Sequence, residues 1–154
     1  MKEYKILLLG DSGVGKTSIF KRFIENKVEN TFSSTIGVDF ETKILTYKNK
    51  QYSIFLYDTA GQEKYKSIIS TCCGVGDGYL IVFDLTNKKS LNSLNDWVKS
   101  VINKNKYWKF LIIGNKVDLT NDQIPENEIN FFIKLYYLNI IYIIDRIWKI
   151  KFIL

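Results

Sequence analysis

Histidine is missing altogether from these 154 residues, which removes imidazole both as a general base and as a metal ligand. Cysteine occurs only as the adjacent pair Cys72 and Cys73, so neither a disulfide framework nor a zinc site is expected, and a reducing cytosolic compartment fits best. Proline appears once, at Pro125, and no interdomain linker or internal repeat is visible. No uninterrupted apolar run is long enough to span a membrane. The ending YYLNIIYIIDRIWKIKFIL is broken by Asp145, Arg146, Lys149 and Lys151, well short of about 18 uncharged residues. Lys2, Glu3 and Lys5 interrupt the opening, so no signal peptide is expected. Acidic residues are the minority, 16 against 22 basic ones, for a formal net charge of +6. The lysines are scattered rather than gathered in a block, which argues for solvated faces and against a nucleic-acid partner.

What is present suits a single folded domain over residues 1–154. The chain is 46% apolar and 25% charged, ordinary for a globular protein. At this length it buries roughly two-thirds of its unfolded surface. YKILLL (Tyr4–Leu9), YLIVFD (Tyr79–Asp84) and FLIIGN (Phe110–Asn115) read as strands buried on both faces. VDFETKILTY (Val38–Tyr47) and YSIFLYD (Tyr52–Asp58) flank the polar turn Lys48–Lys50 and read as a hairpin. Ile19, Phe20, Phe23 and Ile24 mark one helix, and Leu91, Leu94, Trp97, Val98, Val101 and Ile102 mark another. Glu126–Leu138 follows Pro125 as a further helix, and IIYII (Ile140–Ile144) as a last strand. Such alternation predicts an α/β sheet with helices on both faces, whose ligands collect at the carboxyl ends of the strands.

Four motifs fall at or between such strand ends. Gly10, Gly15, Lys16 and Thr17 in LLLGDSGVGKTSIFKRF (Leu7–Phe23) have the G-x-x-x-x-G-K-[ST] spacing, between a strand and a helix. Gly13 and Gly15 let the main chain curl so that N–H groups over Asp11, Ser12, Gly13, Val14, Gly15, Lys16, Thr17 and Ser18 gather around phosphate at a helix N-terminus. Lys16 is expected on the β- and γ-phosphates and the Thr17 hydroxyl on Mg²⁺. DTAGQE (Asp58–Glu63) supplies an acid for Mg²⁺ at Asp58, a side-chain-free approach to the terminal phosphate at Gly61, and Gln62 to orient a water. NKVD (Asn115–Asp118) offers Asp118 to the N1–H and 2-amino group of guanine, with Asn115 and Lys116 bracing the loop. Adenine lacks that donor pair, and a carboxylate left unpaired against it costs about 1–3 kcal/mol or more. STIGVDF (Ser34–Phe40) adds Thr35, whose hydroxyl suits Mg²⁺ and whose N–H suits the γ-phosphate, in a loop that would order with a triphosphate and loosen with a diphosphate.

Together these motifs resemble the small Ras-like GTPases, and most closely the Rab branch. TIGVDF, YDTAGQEKYKSI and LIVFDLTNKKSLNSLNDW carry the likeness, over about residues 3 to 142. The resemblance implies a P-loop NTPase small G-domain with a mostly parallel six-stranded sheet, one antiparallel strand and helices on both faces. It implies GTP and GDP binding with Mg²⁺, slow GTP hydrolysis carried by Gln62, Lys16 and Thr35, and a metal site of Thr17, Thr35 and Asp58. It further implies a switch in vesicle traffic. Effectors, an exchange factor and a GTPase-activating protein would be met through Ile36–Phe40 and the segment after Asp58. The protein is then expected in the cytoplasm or peripherally on endomembranes.

The chain also departs from that family. Val28 stands where an aromatic residue stacks on guanine, and Tyr57 replaces a tryptophan. Cys72, Cys73 and Gly74 replace paired tyrosines and an arginine, one of them a partner of Phe40 and Tyr57 in effector recognition. No Ser, Ala or Gly follows Thr120, so the Ser-Ala-Lys guanine loop is missing. Residues 143–154 form a divergent tail in which the last helix is missing or truncated to a stub at Ile147–Leu154, and there is no terminal cysteine to prenylate. Low stability and reliance on bound nucleotide are expected. The alternative to an active switch is a truncated remnant that binds partners or nucleotide weakly without cycling.

Overall fold

The structure is a computed structural model, and it describes residues 1–26, 35–61, 66–106, 109–119, 123–136, 140–142 and 151–152. The elements run β1 (Lys2–Leu9), α1 (Lys16–Glu25), β2 (Val38–Tyr47), β3 (Lys50–Thr59), α2 (Lys66–Cys73), β4 (Gly78–Asp84), α3 (Lys88–Ile102), β5 (Phe110–Asn115), α4 (Glu126–Tyr136), β6 (Ile140–Tyr142) and β7 (Lys151–Phe152).

One sheet holds them in the order β2-β3-β1-β4-β5-β6-β7. β1, β3, β4, β5 and β6 are mutually parallel, and β2 returns antiparallel on β3. The expected six strands are in place. The addition is β7, which pairs antiparallel with β6 through Ile141 opposite Phe152, where the sequence suggested the stub of a helix.

The central strands bury successive residues on opposite faces, as a period of two demands. Leu7, Leu9, Ile81, Phe83 and Ile112 join the core beneath α2, α3 and α4 with Leu94, Val98 and Ile129. Leu8, Val82 and Ile113 point the other way and pack with Ile19 and Phe20 of α1. This two-sided burial is why these strands read as unbroken apolar runs rather than as alternating ones. β2 is the contrast, an edge strand whose Phe40 and Ile44 are largely exposed.

α2 was not foreseen. Its sequence KSIISTCC is rich in β-branched, serine and cysteine residues with weak helix preference. Burial of Ile69 and Cys73 against α3 and β4 stabilises it instead. Because all the parallel strands point one way, their carboxyl ends at Leu9, Thr59, Asp84 and Asn115 share one rim of the sheet.

Candidate functional site

β1 ends at Leu9 with no accessible surface, and the chain leaves it through Gly10 at φ 137°. A Cβ there would lie 2.2 Å from the Val82 carbonyl oxygen of β4, so only glycine lets the loop depart so close to its neighbour. Gly13 and Gly15 continue the curl at φ 78° and 100°. Gly15 is the N-cap of α1, with no side chain capping it and no acidic residue in the first turn. The first N–H groups of a helix have no acceptors within it. No acidic residue of the helix's own first turn offsets their partial positive charge, which leaves the helix end suited to an external anion.

Lys16 is 5% exposed and donates to the carbonyls of Gly10 at 2.9 Å and Asp11 at 2.8 Å. Burial pushes its ammonium down to about 8, with Asp58 and Asp11 working in the opposite direction. A buried cation whose direct partners are neutral carbonyls is primed for a phosphate charge.

The three residues expected to hold a metal converge. Thr17 Oγ1 donates to Asp58 Oδ2 at 2.7 Å and lies 2.8 Å from Thr35 Oγ1. Thr35 Oγ1 donates to the same carboxylate oxygen at 3.3 Å. Burial raises the Asp58 carboxyl above its ordinary value, against the lowering effect of Thr17, Lys16 and Thr35. Its other oxygen, Oδ1, is buried with no hydrogen-bond partner among the described residues. Hard oxygen donors and an unused carboxylate oxygen fit Mg²⁺, which takes few protein ligands and keeps several waters. Among the described residues no group of three or more His, Cys, Asp or Glu could hold a metal; this donor set instead has hydroxyls for two of its three members.

Gly61 lies against the phosphate loop. A Cβ on it would be 2.3 Å from both the Asp11 carbonyl carbon and the Ser12 nitrogen. Gln62 lies outside the described residues, as do Val28 and Ser34. The Asn115 side chain, fully buried, donates to Val14 O at 2.8 Å. Lys116, at φ 65°, donates to Gly13 O at 2.8 Å and pairs with Asp84 Oδ2 at 2.8 Å. Asp118 is exposed in the turn that follows. The Gln123 amide braces that turn, donating to Val117 O at 3.0 Å and Leu119 O at 2.7 Å.

Two participants escaped the sequence reading. Asp84 anchors Lys116 and accepts from Thr86 N and Oγ1 at 2.9 and 2.7 Å. Burial alone would raise its carboxyl, but Lys116 and Thr86 outweigh that and hold it below the ordinary carboxylate range. The signal available was its position: like Asp58, it is an acid closing an apolar central strand. Trp97, read as one more apolar residue of α3, donates its indole N–H to Asp11 Oδ1 at 2.8 Å. A buried tryptophan needs an acceptor, and the pattern of α3 could not say which.

Beyond the rim, Phe40 of β2 lies directly opposite Tyr57 of β3 and stacks on it, with ring centroids 5.5 Å apart. Phe40 is 55% exposed. Cys72, near the end of α2, is half-buried.

A sequence model described as the Ras family matches residues 5–141. Ras-related protein Rab-13 of Canis lupus familiaris is 39% identical over 117 residues, covering 75% of this chain and 58% of that protein. Ras-related protein Rab-10 of Caenorhabditis elegans is 36% identical over 126 residues, 81% of this chain and 63% of the relative. Ras-related protein Rab-3A of Homo sapiens is 34% identical over 128 residues, 81% and 57%. The chain therefore matches less than two-thirds of the length of these relatives.

Proposed function

The chain belongs to the Ras family of small GTPases, to its Rab type, and on that footing we propose that it is a guanine-nucleotide switch of vesicle traffic that binds GTP and GDP with Mg²⁺ and hydrolyses GTP slowly. The observation that carries this reading is the meeting of Thr17, Thr35 and Asp58 at a single carboxylate oxygen, two strands and a helix away from one another in sequence. Three oxygens brought together from three separate motifs have no purpose in packing.

Each residue then has a task. The loop from Asp11 to Ser18 wraps the phosphates with its N–H groups, and Lys16 places its ammonium on the β- and γ-phosphates. Thr17, Thr35 and Asp58 hold Mg²⁺, which when bound draws charge from the phosphate oxygens. Thr35 belongs to the segment that registers the γ-phosphate, so loss of that group frees the segment. Gln62 orients the attacking water. Little more is asked of the chain, because positioning and electrostatics supply most of the rate in phosphoryl transfer. Asp118 selects guanine, on a loop that Asn115 and Lys116 tie to the phosphate loop. An activating protein would contribute an arginine worth on the order of 10³–10⁵ in rate.

Effectors would read the surface around Ile36–Phe40 and the segment after Asp58, where the exposed Phe40 stacks on the half-buried Tyr57. No helix of the described residues is long and apolar enough to cross a membrane. Peripheral association with endomembranes is the reading that the Rab relatives favour.

The test is to purify the chain, denature it and identify released nucleotide by chromatography, then to follow single-turnover hydrolysis of GTP. The expected result is bound GDP, preference for GTP over ATP in competition, and turnover abolished by Gln62→Leu. Nucleotide bound without turnover would identify a non-cycling remnant. No nucleotide, or equal competition by ATP, would overturn the proposal.

A further inference from the structure

Asp11 is where three parts of the molecule meet. Its carbonyl accepts from Lys16 Nζ at 2.8 Å, and its carbonyl carbon is in near contact with Gly61 at the start of the segment after β3. Its carboxylate turns away from the anion-binding curl and accepts the Trp97 indole N–H at 2.8 Å. Trp97 is 8% exposed and sits in the third turn of α3, a 15-residue helix whose Leu94, Val98 and Val101 are fully buried. A cleft of about 580 Å³ is lined by Asp11, Gly61, Ile69 and Trp97, so the contact lies at the edge of open space rather than inside the packed core. The phosphate loop, with three glycines at positive φ, has little stiffness of its own. A rigid helix that grips one of its residues supplies what the glycines remove.

We propose that Trp97 is a positioning residue for the phosphate loop. By holding the Asp11 carboxylate it fixes the main chain of Asp11–Ser12 in the curl that receives phosphate, and so sets how long a nucleoside diphosphate stays bound. This rests on the nucleotide-binding reading above, and it assigns to α3 a part in nucleotide retention without any contact with the nucleotide. A hydrogen bond to a carboxylate shifts a local equilibrium by roughly ten- to a hundredfold, and loop curl is the equilibrium concerned.

The experiment measures the release of a fluorescent GDP analogue from the full chain and from Trp97→Phe, Asp11→Ala, their double variant, Asp11→Asn and Val101→Ala. Trp97→Phe keeps the ring and loses the donor, so release is expected to quicken about tenfold, at the lower end of that range. Asp11→Ala should match it, and the double variant should be no faster than either single one. Asp11→Asn retains an acceptor oxygen and should restore slow release. Val101→Ala opens a cavity one turn along α3 from Trp97 while keeping the hydrogen bond to Asp11, and should lower the melting temperature without changing release. Trp97→Phe releasing at the parent rate, single effects that multiply in the double variant, or Val101→Ala quickening release equally would each overturn the proposal. If the parent chain holds no nucleotide, the functional reading fails on its own. The positioning role is then judged from amide exchange over residues 11–14 in the ligand-free protein. Trp97→Phe should raise that exchange about tenfold while α3 stays protected; unchanged exchange would overturn the role.

Discussion

The side-chain amide of Asn115 donates to the carbonyl of Val14 at 2.8 Å, across 101 positions of sequence and with no solvent access. The end of β5 and the phosphate loop are thereby one unit. Lys116 adds a second strap one residue on, to Gly13. Asn115→Ala would leave the buried Val14 carbonyl without this donor, at about 1–3 kcal/mol. The expected outcome is a lower melting temperature together with at least tenfold weaker GDP binding by calorimetry. Affinity retained at the lower melting temperature would reduce the strap to a purely structural one.

Position 61 should tolerate no side chain. The Cβ of Gly61→Ala would start 2.3 Å from main-chain atoms of Asp11 and Ser12, and main chain cannot swing aside as a flexible side chain can. Either the phosphate loop or the segment after β3 must move. A displacement near 1 Å at a positioning site costs on the order of a hundredfold in rate. Single-turnover GTP hydrolysis should fall by about that factor, with GDP binding affected much less.

Acid should weaken the molecule through Asp84. Its carboxyl is held below the ordinary range despite burial, by Lys116 and Thr86. A depressed folded-state value means stability that is fully present above the unfolded value near 3.8 and lost as pH falls through the folded one. Asp84→Asn should therefore lower the melting temperature at pH 6 and converge with the parent protein as the pH falls below about 4. A gap of constant size from pH 6 to pH 3 would mean that the contact acts through shape rather than charge.

Cys72 and Cys73 should separate under alkylation. Cys72 is half-buried, whereas Cys73 is fully buried and its thiol is pushed up to about 11 by burial and, to a smaller extent, by Cys72. Since the thiolate is the reacting form, iodoacetamide at pH 8 should label Cys72 in the folded protein and Cys73 only on unfolding, as read by peptide mass. The raised value also has a sign in stability. The fold favours the protonated thiol, so its contribution holds below pH 9 and declines as pH rises toward 11.

What could be read from the sequence was local. Gly10 to Thr17, Asp58 and Asn115 to Asp118 carry their chemistry within a few residues, and the apolar runs beside them say strand or helix with little competition. α2 could not be read because KSIISTCC has no strong preference of its own and is set by Ile69 and Cys73 finding a core. Nor could the partners of Asp11, Asp84 and Asn115 be read, because those contacts join residues 86, 32 and 101 positions apart. A pattern with a period of two or 3.6 residues carries no information on such pairs. Val28, which stands where the family stacks an aromatic residue on guanine, and Gln62, singled out to orient water, fall outside the described residues.

The β2–β3 hairpin turns at Lys48 and Asn49, both at positive φ of 47° and 60°, between the paired Tyr47 and Lys50. That tight reversal lies at the opposite end of β3 from Asp58. Asp58 lies eight residue steps along the strand from Lys50, roughly 26 Å at about 3.3 Å per residue. The tip is thus a natural handle. A dye or surface tether fixed at Lys48 would ride on a stiff ribbon whose other end carries the Asp58 carboxylate, close enough to sense its motion by energy transfer and too far to disturb its chemistry.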